Sequence, residues 1–289
     1  MRFPWRLSDS IQSWFEDPHA WLLAVGLGLI ALHLQLFWRL TGSFDQLSLE
    51  LMGWAALGYR LWQRRQTIVL QRDRVSQALG WGLIGLILVR SWSLQTASNT
   101  VLGLTPLPIG IAIALLAVGL QQFKHYQREL WLVAAIAFPL TACGPLLDRF
   151  LNSSVLMAKY SHLLMWYSGF IVERQGVRLA MPTGAVEILY ACSGLDAALI
   201  SLKVAIFFLL VFPTHWRNKL LVPLAAIASA FLVNGFRIML MAYLVSHNQM
   251  AAFNYWHSGD GSQVFAMISM TVFTQYCQFL IDRSPNPVL

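Results

Sequence analysis

Three residues carry the most chemical promise in this chain: Cys192, Arg237 and His257. A cysteine sulfur is a strong nucleophile as thiolate, and a free thiol with pKa about 8.5 needs a neighbouring base or positive charge to ionise near neutrality. His257 has the chemistry of that base. Attack on a peptide carbonyl would place negative charge on oxygen, and a guanidinium in a low-dielectric site is a fitting donor to that oxyanion. Arg237 has the chemistry of that donor. The protonated histidine would then pass its proton to the leaving amine, so the products would be a free amine and a thioester.

Polar residues near the trio suggest supporting roles. Asn234 and Arg237 are three residues apart, so they are neighbours on one helical face. Cys192, Asp196 and Lys203 fall close to one face of a continuous helix and form a polar seam, with Lys203 expected to balance Asp196 in a buried ion pair. Glu187, before Cys192, is a candidate to orient His257 or Arg237. Each residue also admits a purely structural reading. Cys192 can be a small buried hydrophobe. Arg237 can pair with Asp196 or Glu187, or reach the headgroups. His257 can be a solvated residue in the Trp256-His257-Ser258-Gly259-Asp260-Gly261 loop. Cys143 and Cys277 lie among apolar residues and read as packing.

The elements that must position these residues are membrane helices. The 289 residues are 57% hydrophobic and 11% charged, against roughly 25% charged in a soluble domain. Mean hydropathy is +0.58. That composition excludes a water-soluble globule and a disordered chain, and three cysteines are too few for a disulfide scaffold. The 12 tryptophans and 8 tyrosines suit interface anchors. Apolar stretches at 21–38, 46–61, 76–92, 101–123, 130–147, 191–212, 219–245 and 263–281 predict an all-α polytopic bundle of about eight transmembrane helices. The first stretch follows Asp9, Glu16 and Asp17 without an A-x-A-like cleavage pattern, so it reads as an uncleaved span. The chain is expected to be a single integral-membrane domain over 1–289, with amino-terminal helices at 1–149 and the catalytic part at 150–289.

Orientation follows from the positive charges, which concentrate on the cytoplasmic side. With both termini inside, the inner set is Arg2, Arg6, Arg60, Arg64, Arg65, Arg72, Arg74, Lys124, Arg128, Arg217, Lys219 and Arg283. The outer set is only Arg39, Arg90, Arg149, Lys159, Arg174 and Arg178. The net charge of +7 is therefore mostly a topology signal, and no nucleic-acid partner is expected. This topology puts Cys192, Arg237 and His257 near the outer leaflet.

One non-membrane insertion, Phe150 to Tyr190, precedes the cysteine on the predicted outer side. Its first half, Val155 to Trp166, has the period of an interfacial helix ending near Ser168-Gly169. Its second half, Ile171 to Ile188, alternates like a small hairpin, with Val177, Leu179 and Met181 on one face and Gln175-Gly176 as the turn. Elsewhere the sequence lacks a Walker-type loop and the H-E-x-x-H, C-x-x-C and G-x-S-x-G motifs. Its remaining histidines, His19, His33, His125, His162, His215 and His247, do not pair at metal-ligand spacing. Neither a metal nor a cofactor is expected.

Three ordered blocks give the chain a family resemblance. They are Glu187-Ile188-Leu189-Tyr190-Ala191-Cys192-Ser193-Gly194-Leu195, then Asn234-Gly235-Phe236-Arg237-Ile238, then His257 with Gly261 four residues later. Jointly they resemble the exosortase/archaeosortase group of polytopic membrane cysteine transpeptidases, and the Gly-Leu-Asp run ending at Asp196 is similar to the cyanobacterial branch. The resemblance implies Cys192 as nucleophile, Arg237 as oxyanion stabiliser and His257 as general acid/base. It also implies secreted substrates with a carboxy-terminal sorting signal: a short motif such as Pro-Glu-Pro, a transmembrane helix and a basic tail. The acyl group would pass to an envelope acceptor, a lipid or glycan, or to water. Membrane lipids would surround the enzyme, and the setting would be the bacterial plasma (inner) membrane, with the active site near its outer face.

Two other function classes fit the composition. A transporter or channel would use Asp196, Lys203, Asn234 and Arg237 as a polar path, making Lys203 essential and Cys192 dispensable. A silent assembly scaffold would use the polar residues for helix packing and leave Cys192 no more reactive than Cys143 or Cys277. Against transport, the sequence has no inverted repeat and no paired broken helices.

Overall fold

The structure, a computed structural model, describes residues 18–68, 70, 73–93, 103–212, 214–259 and 261–283. The residues before Pro18 on which the uncleaved-span reading rests, and Asp260, lie outside the described residues. The chain divides into two compact units, Met1–Pro139 and Leu140–Leu289.

Unit 1 is helical. Helices α1 (Pro18–Thr41), α2 (Phe44–Gln63), α3 (Arg74–Ser93), α4 (Pro106–Val118) and α5 (Gln127–Ala137) follow one another, with a 3-10 segment, Leu120–Tyr126, between the last two. Their boundaries have local causes. The Ser43 side chain accepts the Gln46 N–H at the start of α2. The Asp73 carboxylate accepts the Ser76 N–H at 3.1 Å before α3. Those bonds hold the Asp73 carboxyl below the usual carboxylate range. The chain turns by 112° at the α4–α5 junction. At the end of α5, Phe138 is extended (ψ 118°) because Pro139 disfavours helical geometry in the residue before it. The predicted span 130–147 is therefore broken, and its second half belongs to unit 2.

Unit 2 opens with a 3-10 segment, Leu140–Cys143, followed by α6 (Gly144–Leu151) and α7 (Ser153–Tyr167). Three strands follow, β1 (Glu173–Gln175), β2 (Arg178–Met181) and β3 (Gly184–Glu187), and a 3-10 turn, Tyr190–Cys192. Helices α8 (Leu195–Val211), α9 (Asn218–Ser246), α10 (Met250–His257) and α11 (Gly261–Asp282) complete it. The strands form an antiparallel meander in the order β1-β2-β3, with Gln175 opposite Arg178 and Met181 opposite Gly184. The predicted hairpin is thus extended by a third strand, which pairs Ala185 and Val186 with Ala180 and Leu179. Leu179, inward on the central strand, is fully buried with Ile188, Met157, Met165, Ile238 and Ala242. This cluster seats the sheet on α7 and α9. Where the alternative is water, burial of each large side chain contributes about 1.5–3 kcal/mol. A second cluster, Ala205, Val222, Ala226, Phe273 and Cys277, joins α8, α9 and α11, so Cys277 is a packing residue.

By length and composition, three helices among the described residues can cross a membrane: residues 20–41 of α1, α9 and α11. The bent α4–α5 pair makes a fourth if it is one span. This is fewer than the eight expected from apolar stretches. The shortfall has plain causes: α8 reaches only 17 residues, and the 20 residues of α2 include Asp45, Glu50 and Arg60.

Candidate functional site

Unit 2 brings Cys192, Asn234, Arg237 and His257 together. Cys192 closes the 3-10 turn Tyr190–Cys192, with Ser193 and Gly194 between it and the start of α8. The sequence expectation of one helical face shared by Cys192, Asp196 and Lys203 fails for Cys192, which stands outside the helix. Gly194 makes this geometry: it has φ +77°, and a Cβ there would lie 2.8 Å from Asn234 Nδ2. The turn is thereby pressed against α9, where Asn234 Nδ2 donates to the Cys192 carbonyl at 2.8 Å.

Asn234 and Arg237 occupy one face of α9, as their spacing predicts. Gly235 lies between them against α7, where any side chain would collide with the Tyr160 ring. The short residues of this block let α9 approach both the turn and α7.

His257 is the last residue of α10, so the expected loop position is replaced by a helix end. Its ring stacks on Phe253, one helical turn earlier, with centroids 5.0 Å apart and planes 12° apart. Its Nε2 stands 3.4 Å from Cys192 Sγ, within sulfur hydrogen-bond range. Arg237 Nη2 donates to the His257 carbonyl at 2.7 Å, which ties the C-terminus of α10 to α9 and suits the negative end of a helix dipole. The Arg237 guanidinium is also within electrostatic reach of Cys192. Its Nε is buried and, among the described residues, has no hydrogen-bond partner. A buried N–H left unpaired costs free energy unless a ligand meets it.

The supporting residues separate. Asp196, in the first turn of α8, accepts the Tyr190 hydroxyl at 2.6 Å. Lys203 is buried, its ammonium 6.0 Å from the Phe207 ring centre. Glu187 is exposed at the end of β3, opposite Arg178 in register, and the structure gives it no bond to His257 or Arg237. Cys143 ends the first 3-10 segment of unit 2. No group of three or more potential metal ligands occurs among the described residues.

Tyr190 and Phe253 escape the sequence reading. Phe253 had a signal, since it lies one turn before His257, but only on a helix that the Gly-rich context disguised. Tyr190 and Asp196 lie in different elements, so their pairing had no periodic trace. Burial, followed by the neighbouring Asp196 carboxylate, pushes the Tyr190 phenol up, which keeps it a donor. The folded state therefore holds this proton more tightly than the unfolded chain. The stabilisation is complete below the ordinary tyrosine range near pH about 10 and is lost as pH rises through the folded value. Tyr190→Phe is expected to lower kcat severalfold with little change in KM and to lower the midpoint of thermal unfolding in detergent, because the turn carrying Cys192 loses its tether. Unchanged kcat would remove Tyr190 from the positioning of the cysteine.

The arrangement is a thiol beside an imidazole, with a partly unpaired guanidinium alongside. Comparison with curated proteins and with solved structures finds no match. A family model does match, over residues 38–274, a range that takes in all three sequence blocks and most of the helices of both units. With its apolar helices, the match makes this a multi-pass membrane protein of general transpeptidase type, acting on proteins that carry a sorting signal. The chain belongs to the transmembrane exosortase family.

Proposed function

We propose that this protein is a cysteine transpeptidase that cleaves the carboxy-terminal sorting signal of secreted proteins through a thioester on Cys192. The observation that carries the reading is the 3.4 Å approach of Cys192 Sγ to His257 Nε2. His257 takes the thiol proton as sulfur attacks the scissile carbonyl carbon. Negative charge moves to the carbonyl oxygen, and Arg237 stabilises it there. Collapse of the tetrahedral species expels the amine, which receives the proton from His257. An amine or hydroxyl of an envelope lipid or glycan, or water, then attacks the thioester, with His257 as base, and restores the thiol. Asn234 holds the cysteine carbonyl, Phe253 holds the imidazole plane, and Asp196 acts through Tyr190.

The family and the charge pattern support a reading of the substrate and the setting. The substrate presents a motif of the Pro-Glu-Pro kind just outside its transmembrane helix, and that helix lies against the apolar helices of unit 2. The site faces the outer side of the bacterial plasma membrane, with both termini cytoplasmic, as the excess of arginine and lysine in the inner connections supports. No cofactor is required, because the chain's own acid, base and nucleophile balance the reaction.

The test is intact mass spectrometry of the purified protein after exposure to peptides bearing candidate sorting signals. The expected result is a hydroxylamine-labile adduct equal in mass to the acyl fragment, absent from Cys192→Ala. No adduct with any signal, together with a Cys192 that alkylates no faster than Cys143, would move the reading to a transporter.

A further inference from the structure

Unit 1 gathers cations at the ends of two of its helices. Arg60 lies in the last turn of α2, Arg64 and Arg65 follow directly after its end, and α5 begins just after Lys124 and His125 and carries Arg128 and Glu129 in its first turn. Arg60 Nε lies 3.2 Å and Arg64 Nη1 3.1 Å from the same oxygen of Glu129. Arg64 also donates to the His125 carbonyl at 3.1 Å, and Arg128 is within electrostatic reach of Arg60. The start of α3 joins this end, because Leu120 N–H donates to Ser76 Oγ at 3.2 Å, which brings Arg74 and Asp73 to it.

The two acidic groups are already engaged. Glu129 is 5% exposed and serves two arginines, while Asp73 accepts the Ser76 N–H and hydroxyl. Arg65, Lys124 and Arg128 are exposed beside them. Two tryptophans flank the cluster, Trp62 and Trp131, each 65% exposed. The Arg65 guanidinium stacks over Trp62 at 4.3 Å. Exposed tryptophan beside surplus arginine at the ends of apolar helices matches the chemistry of the membrane interface, where indole sits at headgroup depth and cations meet phosphates. These cations also belong to the set that the charge count assigns to the cytoplasmic side.

We propose that this end of α2 and α5 binds anionic phospholipid. Arg65, Lys124 and Arg128 pair with the headgroup phosphodiester, Trp62 and Trp131 pack among the adjoining headgroups, and the buried Arg60–Glu129–Arg64 cluster holds the two helix ends together beneath them. Commitment to a lipid rests on charge complementarity and on the flanking indoles, which a free anion would not use.

The test uses the full chain in mixed micelles with equal phosphatidylglycerol and phosphatidylcholine, read by native mass spectrometry. Each basic residue near an anionic surface accounts for about a fivefold change, so the wild type is expected to retain phosphatidylglycerol at least about tenfold over phosphatidylcholine. R65Q/K124Q/R128Q, which leaves Arg60, Arg64 and Glu129 in place, is expected to lose that preference, while R217Q/K219Q in unit 2 keeps it. If the triple variant is not monodisperse, the single variants R65Q and R128Q answer the question, each with an expected loss of about threefold to fivefold. Equal retention of both lipids by the wild type, or an undiminished preference in the substituted proteins, overturns the proposal. Displacement of phosphatidylglycerol by millimolar inorganic phosphate also overturns it, by showing a free-anion site.

Discussion

Cys192→Ala is expected to leave the precursor full length while the variant remains in the membrane in wild-type amount. Turnover should fall by at least about 10⁴-fold, since removing the nucleophile of a nucleophile–base pair removes the covalent route itself. The measurement is the ratio of processed to unprocessed substrate, with the variant quantified in the same membranes. Cys192→Ser is the sharper version. It retains size and hydrogen bonding, but a serine hydroxyl is a far weaker nucleophile than a thiol. Both variants keep the Cys192 carbonyl that Asn234 holds, so lost folding is not the expected cause. Normal processing by either would end the thioester mechanism.

Arg237 should show the second-largest effect, and its guanidinium presents two distinct groups. One N–H group holds the His257 carbonyl, and the buried Nε is unpaired among the described residues. Removing an oxyanion donor costs about 10²–10³ in kcat. Arg237→Gln is expected at the upper end of that range or beyond, because the imidazole also loses its backbone anchor. Arg237→Lys keeps the charge without the planar fork, so an intermediate loss is expected. Single-turnover rates check this: kcat should fall in the order wild type, Lys, Gln, with KM little changed. A rise in KM at constant kcat would make Arg237 a substrate-binding residue and no more. A shifted pH–rate limb in Arg237→Lys would show that the arginine also acts through His257.

Asp196 illustrates how close the sequence comes to the site and where it stops. Its spacing from Lys203 suggested an ion pair along α8, a sound inference within one helix. Its carboxylate also meets Tyr190, in the preceding turn, a partner to which no helical spacing points, because Gly144 leaves room there: a Cβ at that position would collide with the Tyr190 hydroxyl and lie 3.0 Å from the Asp196 carboxylate. Glu187, near in sequence to Cys192, ends β3 opposite Arg178.

By itself, the sequence determined the membrane class, the mainly helical character, the three chemical blocks and the adjacency of Asn234 and Arg237. Each depends on composition or on the period of one helix, and those are local properties. Only the tertiary structure decided that Cys192 sits in a turn, that His257 ends a short helix, that β3 joins the hairpin and that Tyr190 donates to Asp196. The two contacts that define the site, Cys192–His257 and Cys192–Asn234, join residues 65 and 42 positions apart. Distances of that kind are set by how α8, α9 and α10 pack around Gly194 and Gly235, and a periodic pattern within a single helix carries no term for them.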